Sequence, residues 1–325
     1  LRFLVIALAN KITKNADSAH KKTDKELAKL EKRISSVYKK AYEDMNQTVS
    51  DYFLEFKADD EAQLQRLEND EITKKQYNDW RIREMAQGRR FVAMRDALAE
   101  RMTNANEIAI GYVNDNMAKI YALNQAFTVT DIIKQSQATK TKNNRLVQEN
   151  WILYDERTVK RLLKEQPDIM PYYPKWKAVK RGFDLDFGKR KITAHVTSGI
   201  LKGSDVNQIA TELMDSVTTM SQTSAIRAAR TGITEAENAG RMAGMQQLAE
   251  KGAILEKRWI ATHDARTRPE HAEADGQRVN QDEPFIVGGE KLMYPADDKL
   301  GASAWNVYNC RCSVAAEFIG FKKLD

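Results

Sequence analysis

The stretch WIATHDARTRPEHAEADGQRV, residues 259–279, decides how the chain reads, together with the NCRC at residues 309–312. Between Trp259 and Cys312 lie two of the four histidines, His263 and His271, and both cysteines, Cys310 and Cys312. Turn-forming and reactive side chains gather there: Asp264, Arg266, Thr267, Arg268, Pro269, Asp275 and Gly276, then Pro295, Asn309 and Arg311. Leu255–Thr262 alternates as a strand does. Pro269 suits the first turn of a short helix that Gly276 ends. Phe285–Val287 and Lys291–Tyr294 flank Gly288-Gly289 as a hairpin, and Cys312–Phe318 reads as a final strand. A small α+β tail is expected.

Upstream the pattern is helical. A helix is expected over about Ser221 to Lys251, ending at Gly252, with a small-sided face of Ile226, Ala229, Ile233, Ala236, Gly240 and Gly244. Such a face permits close helix packing and sets Arg227, Arg230, Glu235 and Arg241 around the same rod. Before it come Val206 to Val217, capped by Ser204 after a break at Gly203, and Phe187 to Leu201. Lys134 to Arg145 reads as a polar linker, and Trp151 to Lys164 as a short helix. PDIMPYYPKWK, residues 167–177, carries three prolines that favour extended backbone around Tyr172, Tyr173 and Trp176.

The first 166 residues contain no proline and two glycines, Gly88 and Gly111, which favours long helices. Leu27, Leu30, Ile34, Val37, Ala41, Met45, Val49, Tyr52 and Phe56 form one stripe, with Asp24 as the expected N-cap. Asp59–Asp70 is acidic and includes a turn, and Thr73 with Gln76 fits a capping box. Tyr77, Trp80, Met85, Val92, Leu98, Met102, Ile108, Tyr112, Ile120 and Leu123 continue a second helical region to about Phe127, weakest at the two glycines. The fold class is mainly α with a small α+β C-terminal domain and long amphipathic N-terminal helices. The segments are 1–133 (long helices), 134–192 (basic connector) and 193–325, itself divided into helices 193–252 and an α+β tail 253–325.

Composition fits that organisation. At roughly 150 residues per domain, 325 residues suggest about two domains. The 30% charged fraction suits exposed amphipathic helices, and the formal charge of +6 is unevenly placed. Lys134 to Lys191 holds 15 basic against 7 acidic residues, whereas Ile254 to Asp325 holds 10 against 12. Lys175, Trp176, Lys177, Lys180 and Arg181 are therefore candidate contacts to DNA or a partner, the plain alternative being a solvated helix face. The apolar opening, Phe3 to Ala9, ends in the Ala-Leu-Ala of a signal peptide but is short for one. No run of about 18 apolar residues predicts a membrane span.

Two chemistries are open to the C-terminal cluster. His263, His271, Cys310 and Cys312 have the ligand types of a zinc site, although Cys-x-Cys is tighter than the usual gap. A disulfide between two cysteines so close would be strained. The alternative sets the cysteines alternately across the last strand, with Asn309 and Arg311 hydrogen-bonded. An enzyme would use His271 with a carboxylate as base and Arg266 or Arg268 for phosphate. No nucleophile elbow, phosphate loop or HExxH accompanies them, and a salt-bridge and turn network accounts for the same residues.

The order of these pieces resembles the C-terminal domain of phage Mu F-like minor head proteins, a family of head morphogenesis proteins. That family shows a tryptophan strand, Asp-x-Arg-Thr-Arg-x-x-His, Asp-Gly and a terminal Asn-Cys-Arg-Cys. Its upstream arginine–threonine helix is matched by RAARTGITEAENAGR (Arg227 to Arg241), with Arg230 and Thr231. The resemblance covers roughly residues 200 to 320. His263 stands where the family has no general histidine, which leaves His271, Cys310 and Cys312 as the metal candidates. Gly232 stands where the family commonly has an acid. The resemblance implies a minor capsid protein, not an enzyme, that joins the portal and procapsid and assists head assembly or genome packaging and delivery. Portal, major capsid or scaffold proteins are the implied partners, with phage DNA a further one, and no cofactor is required unless zinc binds. The implied location is the virion or procapsid, after synthesis in a bacterial host cytoplasm or from an integrated prophage. Some relatives carry appended toxin domains, and none is expected in the short stretch after Cys312. The competing readings are a non-specific DNA-binding module near the portal and a hydrolase or nuclease centred on His271.

Overall fold

A computed structural model describes residues 17–139, 144–165 and 181–322. The chain is mainly helical: α1 (Ser18–Leu54), α2 (Lys57–Glu68), α3 (Lys74–Met85), α4 (Gly88–Ala138), α5 (Arg145–Gln148), α6 (Glu156–Glu165), α7 (Arg181–Lys202) and α8 (Val206–Glu250). The C-terminal part follows as β1 (Ala253–Ile260), α9 (Pro269–Glu273), β2 (Arg278–Asn280), β3 (Phe285–Val287), β4 (Glu290–Leu292), α10 (Ala304–Val307) and β5 (Ser313–Phe321). Contacts divide the chain into two compact units, one of residues 1–31, 112–177 and 227–325, the other of residues 32–111 and 178–226. This partition cuts across the linear segments, because α1, α4 and α8 each give residues to both units. Among the described residues no helix is long and apolar enough to cross a membrane.

The local signals explain most boundaries. Asp17, not Asp24, starts α1: its carboxylate accepts the Ala19 and His20 amides, each at 2.9 Å. The capping box at Thr73 and Gln76 forms as expected. Gly88, at φ +85°, separates α3 from α4, a conformation that glycine adopts without the cost of a Cβ. Asp205, rather than Ser204, caps α8 by accepting from the Asn207 and Gln208 amides at 2.8 and 3.0 Å. The acidic segment after residue 57 is helix until Glu68, and α4 continues through the expected polar linker to Ala138. Val217 to Ser221 is likewise helical, so α8 is unbroken from Val206 to Glu250.

In the second unit, Ile34, Tyr38, Met45, Val49 and Phe53 of α1 are buried, as are Phe91, Met94, Leu98 and Met102 of α4. Of the expected α4 stripe, Leu98 and Met102 are buried, whereas Val92 and Ile108 are exposed and the neighbouring Phe91 and Ala109 are buried in their place. In the first unit α8 meets α4 through its small face. A Cβ on Gly240 would stand 2.3 Å from the Tyr121 carbonyl oxygen, and one on Gly244 2.9 Å from that of Gln125. Only glycine allows the backbones that close.

The sheet of the first unit is antiparallel with order β2-β1-β5, and β3-β4 forms a separate hairpin. Gly288 and Gly289 both have positive φ, +56° and +80°, the pair of angles a tight two-residue hairpin turn needs. Ala253, Leu255, Lys257 and Trp259 point to the buried face of β1. Lys257 sits in this apolar row with its amine donating to the Met293 carbonyl at 2.8 Å and lying over the Phe285 ring. Burial pushes its pKa down to about 8.

Candidate functional site

The site is built where β1, α9 and the loop before β5 meet α8. Trp259 is wholly buried, and its ring packs edge-on against His271 and Phe285 at centroid separations of 5.6 and 5.4 Å. Its backbone accepts from Gly276 and donates to Gln277, both at 2.9 Å, which closes the loop that carries α9. Gly276 makes that closure at φ +78°. Asp275 accepts from the Ala261 amide at 2.8 Å and from His263, whose Nε2 lies 2.8 Å away.

The loop 309–312 is held from all sides. Asn309, in the left-handed region at φ +56°, donates its amide to the Thr231 hydroxyl at 3.1 Å. The carbonyls of Cys310, Arg311 and Cys312 accept from Thr234, Thr262 and Asn238, at 2.7, 2.6 and 3.1 Å. Asn238 also donates to the Pro295 carbonyl at 3.2 Å and accepts from the Val314 amide at 2.8 Å. Arg311 grips Asp264 with two hydrogen bonds of 2.6 and 2.7 Å. That pairing, helped by the Arg266 amide, holds the Asp264 carboxyl down to about 2. Thr267 closes the same turn on Asp264. Arg268 donates to the Tyr308 carbonyl at 2.5 Å and lies over the Trp305 ring. Arg230 reaches away to Glu31 at 2.7 Å.

At the centre, Nδ1 of His271 lies 3.6 Å from the Cys310 sulfur and 3.5 Å from that of Cys312. All three side chains are buried, and their donor atoms lie within 4.8 Å of one another. The cysteines precede β5, so they do not alternate across it; both sulfurs turn to one nitrogen. The Cys312 amide donates to the Cys310 sulfur at 3.4 Å. Burial raises the Cys310 thiol, but hydrogen bonds from Cys312 and His271 outweigh it and bring it well below its usual value. Its partner Cys312 is pushed well up, by the bond to Cys310 first and by burial second, against the opposing pull of the Thr262 amide and the Trp259 indole.

The structure thus brings three of the four metal candidates together. His263 is excluded, being half-exposed and paired with Asp275. The base-and-carboxylate arrangement of the enzyme reading does not form, since His271 faces sulfur and the nearby acid serves His263. Lys175, Trp176, Lys177 and Lys180 lie outside the described residues. Arg181 is ion-paired with Glu107 at 3.0 Å and with Glu100.

Sequence reasoning missed a second network beside the site. His20 Nδ1 lies 2.9 Å from Glu237, and Arg241 joins Glu237 and Asp17 at 3.0 and 2.6 Å while donating to the Val314 carbonyl. Burial works to lower the His20 pKa, but the Glu237 carboxylate outweighs it and raises the value to about 9. The spacing of Glu237 and Arg241, one helical turn apart, was the available signal.

Residues 190–315 match the family described as Phage Mu protein F like protein. The minor head protein GP7 of Bacillus phage SPP1 is 33% identical over 129 residues, which cover 38% of this chain and 39% of that protein. The NAD(+)–arginine ADP-ribosyltransferase EFV of Enterococcus faecalis is 31% identical over 124 residues, 38% of this chain and 25% of that protein. YqbB of Bacillus subtilis, an uncharacterized protein, is 32% identical over 121 residues, 36% of this chain and 38% of that protein. The chain therefore spans only a quarter to two fifths of the curated relatives' lengths. No solved structure matches it. The segment that holds α8, β1 and the Asn309–Cys312 loop is thus the part of the chain that is similar to the Mu F-like head proteins.

Proposed function

We propose that this protein is a minor component of a phage head that docks on the portal and procapsid and assists assembly or genome delivery. The observation that carries the reading is the use made of the signature residues. Arg230, Thr231, Asp264, Arg268, Asp275, Asn309 and Arg311 are spent on internal bonds, and Pro295 accepts one, so the motif fixes a fold instead of lining a reactive cleft. Docking surface is supplied elsewhere: Phe183 and Phe187 stand exposed one turn apart on α7. The likeness to a named ADP-ribosyltransferase does not bring that activity with it, since the shared stretch is a quarter of that protein.

The test is co-expression with the portal and major capsid proteins of the same phage, followed by isolation of procapsids. The protein is expected to sediment with them at low copy and to be lost when Phe183 and Phe187 are both replaced by Asp. Its consistent absence from portal and procapsid fractions overturns the proposal. Arginine-specific labelling of added protein in the presence of NAD would replace it with an enzymatic role.

A further inference from the structure

We infer that His271, Cys310 and Cys312 form a zinc site that pins α9 to the loop before β5. Zn–S bonds of about 2.3 Å and a Zn–N bond of about 2.0–2.1 Å, at a tetrahedral angle, place each sulfur about 3.5–3.6 Å from the nitrogen. The observed separations from His271 Nδ1 are 3.6 and 3.5 Å. Hydrogen bonding alone explains the cluster less well. Nδ1 carries either one lone pair or one proton, so whether it accepts or donates it serves one of the two sulfurs at a time. Nε2 is buried without a hydrogen-bond partner among the described residues whether Nδ1 meets a thiol or a metal, so the comparison turns on Nδ1 and the two sulfurs. With a metal, both sulfurs and Nδ1 are used at once.

Charge points the same way. Zn²⁺ displaces one proton from each thiol to solvent, and the ion with two thiolates and a neutral imidazole sums to zero. A buried site free of net charge avoids the cost of an unpaired ion in a low-dielectric interior. Amide donors are placed as thiolates need them, the Cys312 N–H pointing at the Cys310 sulfur. Trp259 and the hydrogen-bonded carbonyls of residues 310–312 fix the frame around the ligands. Three protein ligands leave the fourth tetrahedral position to a small donor such as water. The ligands come from points 39 and 41 residues apart, so the ion acts as a cross-link between α9 and the final loop. The site lies in the segment similar to the Mu F-like head proteins and stands or falls separately from docking on a portal.

The full chain, purified under reducing conditions from zinc-supplemented cells, is expected to carry about one zinc per molecule by elemental analysis. Replacing zinc by Co²⁺ should produce the intense thiolate-to-cobalt charge-transfer absorption of a sulfur-ligated ion. Cys310→Ser, Cys312→Ser and His271→Gln should each lose the metal. His263→Ala should keep it, because His263 is paired with Asp275 outside the cluster. Chelation of the wild type should lower its Tm and increase amide exchange in α9 and the 309–312 loop. Should a variant fail to fold, the wild-type metal content and cobalt spectrum still decide. A wild type that holds no stoichiometric metal and gives no cobalt–thiolate band overturns the site. So does native mass showing a Cys310–Cys312 disulfide, or equal metal retention in the Cys310→Ser/Cys312→Ser double variant.

Discussion

Asn238 shows how much of this domain hangs on single polar side chains. From the middle of α8 it joins the Pro295 carbonyl, the Cys312 carbonyl and the Val314 amide. Asn238→Ala leaves three buried backbone groups without that partner, at about 1–3 kcal/mol for each one that finds no other. A loss of about 2–4 kcal/mol in urea unfolding is expected, and a value near zero would show that the loop is held by other means. His20 gives a prediction of a different kind. Its folded pKa, about 9, lies above the ordinary 6.5, so its contribution is complete below about pH 6.5 and disappears as pH rises through 9. Glu237 is the partner, with Asp24 and Arg241 the other charged groups facing the ring. His20→Gln should therefore cost on the order of 2–3 kcal/mol near pH 6 and little near pH 10, measured as the difference in unfolding free energy from wild type. A difference that does not change with pH would remove the histidinium–Glu237 pair from the account. Lys257 complicates the raw wild-type curve, since its lowered pKa makes stability rise between about pH 8 and 10.5, which is why the difference is the quantity to follow.

At the scale of elements, two glycines make opposite predictions. Gly240→Ala drives a methyl into the Tyr121 carbonyl and must push α8 from α4, with an expected cost of at least about 1–3 kcal/mol. Gly111, exposed inside α4 with nothing within 4 Å of where a Cβ would stand, should accept Ala with a gain of about 0.5–1 kcal/mol. Thermal melts of the two variants moving in the same direction would contradict this packing. The small face of α8 was legible because Ala229, Ile233, Ala236, Gly240 and Gly244 recur at helical spacing. The register of α4 was legible only in part: Leu98, Met102 and Ile120 are buried as expected, but over 51 residues apolar neighbours such as Phe91 and Val92 compete for the same face. Val217 to Ser221 looked like a break by propensity, yet Thr218 is buried, and tertiary packing carries the helix through it. The strand Arg278–Asn280 is three residues long with one apolar side chain, Val279, too short to show a pattern, and exists through its pairing with β1. For the site, the sequence offered the right atoms but not their meeting. His271 and the cysteines are separated by 39 and 41 residues, and the packing of Trp259 and the bonds from α8 bring them together.

For the molecule as a whole, the basic surplus between Lys134 and Lys191 separates docking from DNA binding. If phosphate contacts from that stretch act, affinity for duplex DNA must fall with salt, by a slope of about 0.9 in log–log terms for each phosphate neutralised. Lys175→Glu, Lys177→Glu and Lys180→Glu together should then weaken binding and flatten the slope by about 3. Arg181 is different. Its guanidinium is already engaged by Glu100 and Glu107 and by the Asn104 side chain, so Arg181→Ala should leave the slope nearly unchanged. Fluorescence anisotropy with a random-sequence duplex across a salt series measures both variants against wild type. A wild type that does not bind at low salt ends the DNA reading and leaves protein docking to explain the charge. A wild type whose slope depends on Arg181 as strongly as on the lysines would mean that DNA displaces Glu100 and Glu107 from their pairing, so that binding and the α7–α4 ion pairs compete for one cation.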